Sequence, residues 1–496
     1  MPFLKKHIKP QPLLISILII LIGSFAYFTG IPFLDLMELK TVDLRFEARE
    51  RISPNPGIVL AVIDEKSIAK EGKWIWPRSK LADLVTKLSK AGASVIAFDI
   101  GFLEPDDKRV VQAIENIESA VENFDIQDKG IENYLKKLKA QADNDKLLAN
   151  AIANSSASVV LGYFFQMDPE SSEHLNEKDI SIHQENITGS RYSMERYTSD
   201  DARNVPLIEV LTPQSNIELI SNATSYSGFF NMYPDQDGVV RWMPAVLKFK
   251  ESLYAPLSLM TISALLNIPL SVKVAEYGVE EVRIGGLSIP TDELGRILIN
   301  YRGKEKTFPH IPVTDILNED IPGSLLKDKI VIVGATAVGI YDLRVTPFGS
   351  VFPGLEIHAN IVDSILSEDF MYQPAWASIF DITAIIVTGL FLGIVLSRAG
   401  VISGAATGSS LFIGYILLCQ YLFSEKGWIL NLVYPLSVMI LVYVGITAYR
   451  YLTESRQKRF IKDAFSTYLA PTVVKQLIES PETLELGGEE REITAF

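Results

Sequence analysis

At 496 residues the chain is too long for a single small module, on a prior of roughly 100–200 residues per domain. Hydrophobic residues make up 48% and charged residues 21%, and the mean hydropathy is +0.20, which excludes disorder throughout and favours membrane segments. The net charge of −14 argues against a nucleic-acid partner, and the single cysteine, Cys419, excludes an intrachain disulfide or a cysteine metal cluster.

In chain order, residues 1–12 carry Lys5, Lys6 and Lys9 ahead of an apolar run over 13–34. That run is longer than the roughly 7–15-residue core of a cleavable signal, so it predicts a retained signal-anchor helix; a cleaved signal is the alternative. Ile58 to Ile63 is a continuous apolar run ending at Asp64, which suits a strand buried on both faces. Ser79 to Lys90 reads as an amphipathic helix, Ser94 to Phe98 as a strand ending at Asp99, Asp145 to Asn154 as a helix and Ala157 to Phe165 as a strand. This alternation predicts a mainly parallel sheet covered by helices. Gln166 to Asn204 is polar and predicts an exposed insertion. Lys329 to Thr336 predicts a further buried strand, and Gly354 to Leu366 an amphipathic helix.

Three apolar segments follow, 376–397, 401–423 and 428–449, each about the 20 residues of a bilayer crossing. Lys5, Lys6 and Lys9, then Arg398, then Arg450, Arg456, Lys458 and Arg459 flank the four spans, and all fall on one side. The positive-inside rule makes that side the cytoplasm and puts residues 35–374 outside it. Residues 450–486 are expected to form a cytoplasmic helical linker. Gly400, Gly404 and Gly408 make a small-residue face for packing within the subunit or against a second copy, and Asp381 sits near the outer end of its span, where interfacial hydration is expected.

Asp64, Asp99 and Thr336 each stand at the carboxyl end of a predicted parallel strand, where ligands bind in open α/β sheets. Helix capping or turn bracing is the alternative role for either aspartate. The five histidines are scattered without an H-x-x-x-H pair, so no metal site is assigned. No phosphate-binding glycine loop or nucleophile elbow is present, and no catalytic residue is assigned. Asp235-Gln236-Asp237-Gly238 reads as a tight turn, since the glutamate of a calcium loop is missing.

A series of motifs in order then carries a resemblance. Asp43-x-Arg45, Ile63-Asp64, Trp74-Ile75-Trp76-Pro77-Arg78, Phe98-Asp99-Ile100, Asp237-Gly238-Val239-Val240-Arg241, Asn300-Tyr301-Arg302-Gly303, Val333-Gly334-Ala335-Thr336, Asp342 and Pro353-Gly354-x-Glu356-x-His358-Ala359-Asn360 resemble the CHASE domain of type 2. The resemblance implies an extracytoplasmic sensory module of a bacterial membrane receptor, with one span before and three after. Asp237, Arg302 and Asp342 join Asp64, Asp99 and Thr336 as candidates for binding an unidentified external ligand or protein.

Beyond the last span, Phe460, Ala464, Phe465, Tyr468 and Leu469 form an apolar helix face that needs a partner, the expected signal-transmitting face. Phe465 to Val474 and Leu486 to Thr494 resemble the entry to a class III adenylate or guanylate cyclase domain, so residues 487–496 are expected to begin a truncated catalytic domain. That resemblance implies a homodimeric receptor, seated in membrane lipid, that regulates formation of cyclic AMP from ATP. Magnesium or manganese would serve the missing domain only. A histidine-kinase sensor and a membrane-tethered external hydrolase are the alternatives.

Overall fold

A computed structural model describes residues 10–124, 128–168, 176–337, 339, 343–398, 400–465 and 494. The chain divides into two units: residues 1–38, 375–421 and 430–496 in one, residues 39–374 and 422–429 in the other. Helix α1, Pro10–Thr29, ends at Gly30, whose φ of +67° is left-handed, and Pro32 opens α2, Pro32–Ala48. The signal-anchor helix expected over 13–34 therefore stops at Thr29, because Gly30 terminates it and Pro32 cannot continue it.

In the larger unit β1, Ile58–Ile63, is buried at all six positions. Helices α3, Glu65–Glu71, and α4, Arg78–Lys90, lead to β2, Val95–Phe98; α5, Asn144–Ala153, leads to β3, Ser158–Gln166. Then come β4, Met194–Tyr197, β5, Thr212–Gln214, and β6, Tyr226–Phe229. The helix α6, Leu257–Leu266, precedes the strands β7, Leu270–Ala275, β8, Gly278–Ile284, and β9, Leu287–Ile289. Finally β10, His310–Pro312, and β11, Ile330–Ala335, precede α7, Gly354–Leu366.

The main sheet has the order β10-β1-β11-β2-β3-β5, with β6 also on β3, and every pairing but β3 with β5 is parallel. Alternation along β1 divides the core: Val59, Ala61 and Ile63 pack with Leu84, Leu88 and Leu148 of α4 and α5, while Ile58, Leu60 and Val62 share a core with α6 and α7. Arg78 forms a buried ion pair with Asp145 that joins α4 to α5.

Two expectations for this unit change. Residues 166–204 are not wholly an exposed insertion: β4 pairs in parallel with β7, completing a second sheet of order β9-β8-β7-β4, and Tyr192 is buried in the core. Helix α7 is covered all round from Gly354 to Ile365 rather than on one apolar face. Its polar side meets the 300–308 segment, where Glu356 accepts from the Lys306 and Phe308 amides and Asn360 Oδ1 accepts from the Arg302 amide at 2.8 Å.

In the smaller unit α8, Ala377–Arg398, α9, Val401–Lys426, and α10, Val433–Phe465, join α1. The stretches 12–29, 377–398, 402–426 and 433–453 are long and apolar enough to cross a membrane. Close approach falls on Gly389 and Gly393 of α8, where a Cβ would lie 2.6 Å from Ile20 Cγ1 and 2.7 Å from Ser16 Cβ of α1. Gly404 packs inside the chain, against Leu396. Asp381 is fully buried instead of hydrated: its carboxylate accepts from Tyr27 Oη at 3.1 Å and from the Asn431 amide at 3.0 Å. Glu38 Oε2 accepts the amides of Leu432 and Val433, each at 2.8 Å, so a carboxylate caps α10.

Candidate functional site

The register β1–β11–β2 brings three of the predicted site residues to one sheet edge. Ile63 lies opposite Ala335 and Val333 opposite Phe98, so Asp64, Thr336 and Asp99 follow on adjacent strands. They do not have equal roles there. Asp64 caps α3, its Oδ1 accepting the Ser67 amide at 2.8 Å and the Ser67 hydroxyl at 2.7 Å. Thr336 lies in a turn closed by its own amide and that of Ala337, both donating to the Ile63 carbonyl.

Asp99 lines a cavity of about 470 Å³ with Trp74, Phe164, Phe230, Arg344 and the start of α7 at Gly354. A Cβ at Gly334 would meet Leu355 at 3.2 Å and Asp99 at 3.5 Å, so the missing side chain lets α7 come close to the edge. Behind Asp99, His358 of α7 is completely buried, and neither ring nitrogen has a hydrogen-bond partner. Its Nε2 is 3.9 Å from Asp99 Oδ1, beyond hydrogen-bond range. Burial, reinforced by the Arg344 charge, lowers its pKa to about 3, so the imidazole is neutral at physiological pH.

Asp237 and Arg302 belong to two other polar centres. Arg241, 1% exposed, donates to both oxygens of Asp43 on α2 at 2.7 Å, to Asp235 at 2.9 Å and to both oxygens of Asp237 at 2.8–2.9 Å. Lys40 reaches Asp237 at 2.8 Å. Arg241 and Lys40 hold the Asp237 carboxyl well below the usual range, whereas burial raises Asp235 despite its bond to Arg241. Gly238, at φ +82°, makes the tight turn predicted from the sequence. Arg302, also 1% exposed, pairs with Asp363 of α7 at 2.7 Å and with Asp369. Nearby Arg49 donates to Asn300 Oδ1 at 2.8 Å.

Sequence reasoning did not foresee that Asp43-x-Arg45 and the Asp237–Arg241 motif meet, nor that Phe46 is boxed by Tyr301, Phe348 and Phe423. The order of the motifs was the available signal, and it carried no pairing. Asp342, Tyr468 and Leu469 lie outside the described residues, and Phe460, Ala464 and Phe465 fall in the last turns of α10.

The α/β domain carries a cleft at the carboxyl edge of its sheet, and among the described residues four helices are long and apolar enough to cross a membrane. The CHASE2 domain profile matches residues 15–395, and the chain belongs to the CHASE2 family, sensory domains of signalling proteins. The match extends beyond residues 39–374 to include most of α1 and α8. No curated protein and no solved structure matches the chain.

Proposed function

We propose that the chain is the receptor portion of a transmembrane signalling protein. Residues 35–374 lie outside the cytoplasm and sense a small ligand at the Asp99 edge, and α10 carries the signal to a class III nucleotidyl cyclase forming cyclic AMP from ATP. The observation that carries this reading is α10 itself: it runs unbroken for 33 residues, from the apolar span into the charged stretch beyond Thr453. The basic flanks support the orientation, and the cyclase entry motif over 465–494 supports the output. A cyclase of this class works between two catalytic domains, so the receptor acts as a homodimer, and magnesium or manganese serves the catalytic domain. The coding region following Phe496 is the test. A strand running into a metal-binding aspartate, with cyclic AMP made by the intact receptor, is the expected result; a phosphoacceptor-histidine helix overturns the cyclase output.

A further inference from the structure

The cavity beside Asp99 has chemistry on three sides. Asp99 supplies a carboxylate at the sheet edge. Arg344 supplies a guanidinium, and beside it Gly354 and Leu355 open α7, whose first amides have no side-chain cap, Pro353 being the residue ahead of them. Helix N-terminal amides without a side-chain cap and a guanidinium together favour an anion. Trp74, Phe164 and Phe230 provide the apolar wall, the rings of Phe164 and Phe230 tilted at 34° to one another with centroids 6.0 Å apart. The amide of Asn231 is engaged on both ends by the Phe165 backbone, at 2.7 and 2.8 Å, and so belongs to the wall.

His358 is the independent observation. A buried imidazole with both nitrogens unpartnered is costly and calls for an explanation. It sits against Asp99 and feels Arg344, the two charged residues that line the cavity among the described residues.

We propose that the cavity binds a small zwitterion with an aromatic or large apolar side group, of the amino-acid class: ammonium on Asp99, carboxylate between Arg344 and the start of α7, side group on Trp74, Phe164 and Phe230. The cavity volume of about 470 Å³ is ample for such a ligand. This rests on the sensory reading of the same edge.

The test uses the full chain in lipid nanodiscs, with L-phenylalanine, phenethylamine and 3-phenylpropionate followed by calorimetry. L-Phenylalanine binds at least about tenfold more tightly than either singly charged analogue. Asp99→Asn weakens L-phenylalanine and phenethylamine by about tenfold and spares 3-phenylpropionate; Arg344→Gln does the converse. Thermal melts matching the parent show that both variants fold. Absence of saturable L-phenylalanine binding, or equal binding of all three compounds, overturns the ligand class. Ala335→Phe fills the cavity without changing either charge. If it alters the basal output of the intact receptor while no compound binds, the edge stands as a sensor and the zwitterion is overturned. If it alters nothing and no compound binds, the sensory reading of the edge fails as well.

Discussion

One guanidinium, Arg241, holds three carboxylates from two distant parts of the sequence. Removing it leaves buried negative charges facing one another, so Arg241→Met is expected to destabilise the domain by ~3–5 kcal/mol in denaturant melts. Arg241→Lys recovers only part, because an ammonium cannot bond both oxygens of Asp43 and Asp237 in a planar fork. His358 gives the pH dependence. Its folded pKa of about 3 lies below the ordinary ~6.5, so between those values the unfolded chain binds a proton that the folded chain refuses. Stability is fully present above pH ~6.5 and falls on acidification by up to ~1.4 kcal/mol per pH unit. His358→Gln should flatten the loss between pH 6.5 and 5 by about 2 kcal/mol, read as the change in urea midpoint multiplied by the m-value. An unchanged slope would mean that the imidazole is already protonated in the folded protein.

At the scale of elements, long uniform patterns were legible and mixed ones were not. Six consecutive apolar residues over Ile58–Ile63 admit little besides a strand buried on both sides, and α7 was bounded correctly from its periodicity. The second helix was not foreseen, because Pro32–Ala48 interleaves Asp35, Glu38, Lys40, Asp43 and Arg45 with its apolar residues and follows a helix-breaking Gly-Ile-Pro. Strand β4 was missed for another reason: Met194–Tyr197 is polar and gains its place only by pairing with β7. The cavity was half legible, since Asp99 ends a readable strand while Phe164, Phe230 and Arg344 reach it from separate segments. In the spans, close approach occurs not only at Gly404 but at Gly23, Gly389 and Gly393, which the spacing of Gly400, Gly404 and Gly408 does not disclose. Gly393→Val should therefore force α1 away from α8, lowering the melting temperature in nanodiscs, whereas Gly414→Val, with nothing within 4 Å of its Cβ, should leave it unchanged.

For the whole molecule, the orientation can be tested with single cysteines, because Cys419 is buried and the parent should be silent to an impermeant thiol reagent. Ser288→Cys, on an exposed position of β9, should label on intact cells, and Ser455→Cys, beyond the last span, only after lysis. The reverse pattern would invert the topology. The strand order has a further meaning for biosynthesis. Strand β11 lies between β1 and β2, although about 230 residues separate it from β2. At ~5–20 residues per second the ribosome takes tens of seconds to supply it. Until then β1 and β2 have no shared neighbour, and the nascent chain presents two sticky apolar ribbons with a vacant slot between them. Such a polypeptide needs a holding factor during synthesis, and a ribosome stalled anywhere before residue 330 would leave an aggregation-prone, protease-sensitive intermediate rather than a smaller working domain.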